Sequence, residues 1–236
     1  GGQAVITTAT DVNRIPAWDD VARKEGLTIE PIANIRKLNS LLLEKENIVL
    51  VDRCRRISEA FATVPGISLI ENLGEGMKVS AKGYVFVTHY DLSQWTRRRD
   101  VLVLRPRDLV VGIGCNRGTS SDEIDAVVSE EFERLHLNRE SIACLATIDV
   151  KQDEAGLLEF AARENLPLEF HEAATLNAIK TPSEPSAHAE EAVGVRGVCE
   201  PAAILSAGSD RLLLEKQKRG NVTIAIAEKK SIRSHA

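Results

Sequence analysis

Aromatic side chains make up only 4% of these 236 residues, there are four cysteines and one methionine, and there is no surplus of positive charge. Each shortage excludes something. Cys54, Cys115, Cys144 and Cys199 are scattered and form no CxxC pair, which fits neither a disulfide scaffold nor a structural zinc site. Cys115 and Cys144 lie in apolar runs and read as small buried hydrophobes, and no metal-ligating set is expected. A formal net charge of −5 excludes broad nucleic-acid or membrane-surface binding, so any anion site must be local. No apolar run is long enough to span a bilayer and no signal peptide is recognisable, which makes the cytoplasm the default setting. What is present is ordinary for a globular chain. Hydrophobic residues at 43% and charged residues at 28% can fill one large core or two to three small ones.

The stretch that organises the chain is Val110-Val111-Gly112-Ile113-Gly114-Cys115-Asn116-Arg117-Gly118-Thr119-Ser120-Ser121. An apolar run ends in glycines, a cation follows, and a hydroxyl cluster opens a helix whose stripe is Ile124, Val127, Val128, Phe132 and Leu135. Strand, tight loop and helix N-terminus form the arrangement in which backbone N–H groups and the helix dipole face an anion. The spacing is G-x-G-x-x-x-G, without the third glycine of a dinucleotide fingerprint or the Gly-Lys-Ser/Thr ending of a P-loop. Two readings stay open: an anion site, or a sharp strand-to-helix turn capped by Thr119, Ser120 or Ser121.

The remaining chain alternates strand and helix signals. Residues 4–8 read as a strand, and a helix follows Pro16 and stops at Gly26. Ile35, Leu38 and Leu42 share one face of a second helix. One strand and two helices cannot bury their apolar faces alone, so residues 1–46 read as the closing part of a larger N-terminal α/β domain, or as a swapped or docked element. Short strands at 47–51, 66–70, 83–88 and 101–106 then make a small middle α/β domain over 47–105, with Gln94–Asp100 as a charged connector. From 106 to 228 strands at 110–115, 141–148, 167–170, 211–214 and 221–227 are separated by amphipathic helices, one of them at 186–193. This pattern predicts a mostly parallel sheet flanked by helices, followed by a polar tail over 229–236. In such folds ligands gather at the carboxyl ends of the strands. The loops expected there carry Arg117, Thr119, Asp149, Lys151, Glu200, Lys216, Lys218 and Asn221. On charge alone, Lys216-Gln217-Lys218-Arg219-Gly220 is a basic hairpin in solvent; only nearness to Arg117 would make it part of a site.

Five ordered motifs, namely Gly112–Ser120, Leu145–Lys151, Pro182–Glu184, Ala192–Ala203 and Lys216–Thr223, together resemble the C-terminal domain of the CbiG family. That family acts in the anaerobic, early-cobalt branch of cobalamin biosynthesis. Ala4–Asn13 is similar to the stretch closing the family's N-terminal domain, and residues 48–105 correspond to its middle region. The resemblance implies hydrolysis of cobalt-precorrin-5A: a δ-lactone on the macrocycle is opened and a two-carbon unit leaves as acetaldehyde, giving cobalt-precorrin-5B. Such chemistry asks for a base and for oxyanion stabilisation, and the substrate's acetate and propionate arms ask for cations and N–H donors. Glu200 and Asp149 are the acid/base candidates. Gly112, Gly114, Arg117, Gly118, Thr119, Ser120, Lys151, Lys216, Lys218 and Asn221 are the substrate-binding candidates. Cobalt would arrive within the substrate, so no cofactor is expected. The expected partner is a small-molecule corrinoid, with room for a homo-oligomer and for contact with other corrin-pathway enzymes. The family's upstream Ser-Gly-His-x-Gly-Gly-Ala-Asn segment is not in this sequence; of the histidines present, His171 reads as partly buried and structural rather than as a base, and His89, which follows a strand, stays open between the two. Two alternatives therefore accompany the hydrolase: a corrinoid-binding or hand-over module without chemistry, and a nucleotide-binding α/β domain using the same glycine loop.

Overall fold

The computed structural model describes residues 15–185, 190–191 and 194–230. The chain divides between Pro106 and Arg107 into two compact units. Among the described residues no helix is long and apolar enough to cross a membrane.

The first unit contains α1 (Trp18–Lys24), β1 (Thr28–Glu30), α2 (Ile35–Leu43), β2 (Ile48–Asp52), α3 (Ser58–Phe61), β3 (Ile67–Ile70), α4 (Leu73–Gly76), β4 (Gly83–Val87), α5 (Ser93–Thr96) and β5 (Val101–Arg105). Its sheet runs β1-β5-β4-β2-β3, parallel throughout except for β1, which pairs antiparallel with β5. Continuous apolar runs such as Ile48-Val49-Leu50-Val51 suit strands covered on both faces, and β2, β4 and β5 are buried along their whole length. One face carries Trp18 stacked on Phe61, with Leu38, Leu42, Leu50, Val85 and Leu102. The other carries Val49, Tyr84, Phe86 and Val103.

This packing corrects the expected boundary at 46/47. Residues 16–46 do not stand apart as a remnant, because Trp18, Leu38 and Leu42 are fully buried in the same core as the strands of residues 47–105. Ile29 pairs with Leu104 at the sheet edge. The amphipathic stripe of α2 needs an apolar face, and this sheet supplies it. The strand expected at 4–8 lies outside the described residues. In the charged connector, Arg98 pairs with Asp100 and sits over the rings of Tyr84 and Trp95, 5.1 Å from each. That hydrogen bond to Asp100 raises the guanidinium's pKa and holds the carboxyl below its usual range.

The second unit contains β6 (Leu109–Cys115), α6 (Ser121–Arg134), β7 (Ile142–Ile148), α7 (Ala155–Arg163), β8 (Leu168–His171), α8 (Ala173–Ala178), α9 (Cys199–Ala207), β9 (Leu212–Arg219) and β10 (Val222–Glu228). Of the helix expected at 186–193, Glu190 and Glu191 are described and are helical, and the other positions lie outside the described residues. The sheet order is β8-β7-β6-β10-β9. The α/β class is as expected, but the sheet is mixed rather than mostly parallel: β8, β7 and β6 are parallel, whereas β10 is antiparallel to both β6 and β9. The reason is the connection. β9 runs on through Lys216 and Lys218 to Arg219, and Gly220 at φ +53° turns the chain directly into β10. A two-residue reversal can only join antiparallel strands. Lys216–Arg219, read from sequence as a loop, is therefore edge strand.

α9 lies across β6. A side chain at Gly112 would come within 1.9 Å of the Cys199 carbonyl oxygen, and one at Gly114 within 2.5 Å of Thr223 Oγ1. Ala202, Ala203 and Ala207 of α9 are buried with Ala225 and Ala227 of β10, so small residues on both sides set the close approach. The alternate residues Ile113, Ile224 and Ile226 turn to the other face and are fully buried. The polar tail is tied at its start, where Lys229 N donates to Asp108 O at 2.7 Å and Lys230 N to Ala207 O at 3.1 Å.

Candidate functional site

The carboxyl ends of β6 and β7 and the β9–β10 turn share one end of the second sheet, because β10 begins beside the residue on which β6 ends (Val222 opposite Cys115). Beyond Cys115 the chain makes a tight turn. Thr119 donates both its N–H (3.3 Å) and its hydroxyl (2.8 Å) to the Asn116 carbonyl, and Gly118 takes φ +78°. Ser120 then caps α6 by accepting from Glu123 N at 3.2 Å.

Three further contacts stitch this turn to its neighbours. Asn116 N donates to Asn221 O (3.0 Å), and Asn116 Nδ2 donates to Asn221 Oδ1 (2.9 Å). Glu123 accepts from Asn221 N (2.9 Å) and Nδ2 (3.3 Å). Glu154, only 3% exposed, accepts Gly118 N at 2.6 Å on one oxygen and Lys151 Nζ at 3.0 Å on the other. Burial pushes the Glu154 carboxyl up, but the Lys151 ammonium and the Gly118 N–H outweigh it, and the net shift is downward. Close packing completes the joint, since a side chain at Gly156 in the first turn of α7 would come within 2.0 Å of Thr119 O.

Arg117 makes a two-pronged pair with Asp153, at 3.0 and 3.4 Å. The hydrogen bond raises the guanidinium's pKa and lowers that of the carboxyl. Both side chains remain about 70% exposed (70% and 68%), so water competes for each, and this cation is available to a ligand. Lys151, with 12% of its side chain exposed, is instead committed to Glu154.

The structure thus gathers Arg117, Gly118, Thr119, Ser120, Lys151 and Asn221 at one rim, and Asp149 opens the short turn 149–151 at the same end. Gly112 and Gly114 are not part of that surface. They are buried inside β6, where the lack of a side chain admits α9 at Gly112 and the Thr223 hydroxyl of β10 at Gly114, and not a ligand. Thr119 is 4% exposed and ties the turn together instead of facing outward. Lys218 is exposed on β9 opposite Thr223, and Lys216 is half-buried two residues earlier. Glu200, in the first turn of α9, is 2% exposed and accepts from Ser183 Oγ and Lys216 N, each at 2.7 Å. Thiolate chemistry is excluded near neutral pH at two cysteines: burial pushes the thiols of Cys144 and Cys199 up to about 12, and that of Cys115 upward as well.

Sequence reasoning missed Glu123, Asp153, Glu154 and Gly156. For Glu123 a signal existed: Ser120-x-x-Glu123 has the spacing of a capping box, although the carboxylate bonds the hairpin and not the cap residue.

Residues 109–227 match the family described as "Cobalamin synthesis G C-terminus", and residues 16–106 match "Cobalamin biosynthesis central region". The cobalt-precorrin-5A hydrolase of Priestia megaterium is 33% identical over 94% of this chain, and the probable cobalt-precorrin-5A hydrolase of Methanocaldococcus jannaschii is 28% identical over 96%. The chain spans 61% and 66% of the lengths of these two relatives. The crystal structure of CobE, a protein from the cobalamin (vitamin B12) biosynthetic pathway, is 30% identical with a TM-score of 0.48, covering 53% of this chain and 92% of that one. With its central and C-terminal regions both matched, the chain belongs to the cobalamin synthesis G (CbiG) family.

Proposed function

We propose that the rim of the second unit holds an acid-decorated tetrapyrrole, and that this chain takes part in the hydrolysis of cobalt-precorrin-5A, the activity named for its relatives. The observation that carries the reading is the joining of the Arg117 turn, the β7–α7 loop and the β9–β10 hairpin at one end of the sheet. A carboxylate arm of the substrate displaces Asp153 from the exposed Arg117 at little cost, and Lys218 offers a second exposed cation. In the reaction, water adds to the lactone carbonyl and the acyl–oxygen bond breaks, leaving a carboxylic acid and a two-carbon alcohol still attached to the macrocycle; loss of its O–H proton to a base and cleavage of the carbon–carbon bond to the ring then release acetaldehyde, with the bonding electron pair taken up by the conjugated macrocycle. Of the two acid/base candidates, Asp149 is the one not committed to main-chain N–H groups among the described residues, and the base role falls to it. Cobalt is part of the substrate, no cofactor is invoked, and the proposed setting is the cytoplasm.

A second reading, a corrinoid-holding or hand-over module, is favoured by one observation: Glu123, Glu154 and Glu200 all spend their carboxylates on backbone N–H donors. Incubation with cobalt-precorrin-5A, with acetaldehyde and bound corrinoid both measured, separates the two. Acetaldehyde release supports the hydrolase, and bound but unreacted substrate supports the module. Binding of neither corrinoid nor product would sink both. Arg117→Ala should weaken corrinoid binding about tenfold, the loss of one charge-assisted contact, and leave the melting temperature unchanged. An unaltered affinity removes Arg117 from the site.

A further inference from the structure

The β9–β10 ladder slips twice, between Ile224 and Ile226 and again between Ile226 and Ala227, and the first slip lies nearer the turn. Gln217 lies opposite Ile224, but the next register pair is Leu214 with Ile226, so three steps along β9 match two along β10. The extra residue is a bulge around Glu215-Lys216, and a bulge leaves a backbone N–H without a ladder partner while re-aiming the side chains beside it. The Lys216 N–H finds its acceptor outside the sheet, at Glu200 Oε1, 2.7 Å away. The same oxygen accepts Ser183 Oγ at 2.7 Å, and Oε2 accepts Ser183 N at 3.4 Å. Lys216 Nζ in turn reaches Glu184 O at 3.4 Å. A carboxylate as buried as Glu200 is tolerated only with such partners, and its place in the first turn of α9 adds the favourable end of the helix dipole.

We infer that Glu200 is a positioning residue: it pins the β9 bulge to the Pro182–Glu184 segment and thereby aims Lys216 and Lys218 along the rim, and it does not act as the base. The inference rests on the reading of the rim as a tetrapyrrole site. Its chemistry is plain. Both carboxylate oxygens already accept protein donors, so taking a proton from water would release the segment and the bulge together.

The test uses the full chain with Glu200→Gln, Glu200→Ala and Ser183→Ala. One readout needs no ligand, namely hydrogen exchange at the Lys216 amide. The other is affinity for uroporphyrin, a polycarboxylate tetrapyrrole, followed where turnover exists by kcat and KM on cobalt-precorrin-5A. Glutamine keeps an oxygen for Lys216 N and can donate to Ser183 Oγ, so Glu200→Gln should keep amide protection and affinity within about threefold. Glu200→Ala should speed Lys216 exchange and weaken uroporphyrin binding, each by about tenfold, as expected for one lost hydrogen bond to a charged group. Should the alanine variant fail to fold, Ser183→Ala decides: weaker binding at an unchanged melting temperature supports the positioning role, and unchanged binding overturns it. Protected Lys216 exchange in a folded Glu200→Ala also overturns it, as does a Glu200→Gln enzyme that binds normally but has lost kcat, the signature of a base. If the wild-type chain binds no tetrapyrrole, the site reading fails, while the exchange measurement still judges the pin.

Discussion

At the scale of single residues, the rim is held by carboxylates whose partners are backbone amides. Glu154 is the first to test, since its buried carboxylate joins the Gly118 turn to Lys151 in the loop after β7. Replacing it by alanine strands a buried N–H and the Lys151 ammonium, and should cost about 3 kcal/mol in denaturant unfolding. Glu154→Gln keeps one acceptor and should cost less. The pH dependence follows from the lowered carboxyl. A folded-state value below the unfolded one gives stabilisation that is complete above about pH 4.3 and is lost as the pH falls through the folded value. A series of melting temperatures from neutral to acid pH should therefore fall more steeply for the wild type than for Glu154→Gln. Parallel curves would show that this carboxylate does not couple to folding.

At the scale of elements, the close crossing of α9 over β6 decides what Gly112 is for. Gly112→Ala sets a methyl group 1.9 Å from the Cys199 carbonyl, and α9 must lift. A loss of about 3 kcal/mol is expected from such overpacking, read as a lower denaturant midpoint at unchanged slope. A neutral result would mean the helix sits further out than its contacts here. This position also shows where sequence reasoning stopped. Every described strand but β1 was legible as an apolar run, and α6 as the stripe Ile124, Val127, Val128 and Phe132, whereas Thr28-Ile29-Glu30 is too short and too polar to show a strand pattern. Glycines at 112 and 114 look the same in sequence whether the protein's own chain or a ligand makes the close approach. The length of β9 was hidden because Lys-Gln-Lys-Arg resembles a solvated loop, although edge strands carry such residues against aggregation. The stripe of α2 showed that a face must be buried but not against which strands. The pins at Glu154 and Glu200 left no pattern, and the capping-box spacing at Glu123 pointed to the wrong partner, because these carboxylates accept main-chain N–H groups 36, 16 and 98 residues away.

At the scale of the whole molecule, the division after Pro106 assigns each sheet entirely to one unit. Expressed alone, residues 107–236 should then unfold in a single calorimetric transition, with calorimetric and van't Hoff enthalpies equal. A broad transition would mean that the second unit leans on the first for its stability. That unit has one more property, set by its two central strands. β6 opens it and β10 closes it, and they are hydrogen-bonded neighbours with Leu109 directly opposite Glu228. Opposed residues in an antiparallel pair stand about 5 Å apart. The polypeptide consequently enters and leaves this domain at a single doorway, on the far side from the rim. A peptide of a few residues could splice the two ends, and fresh termini could be opened at a surface loop elsewhere, with the order of the strands in space unaltered.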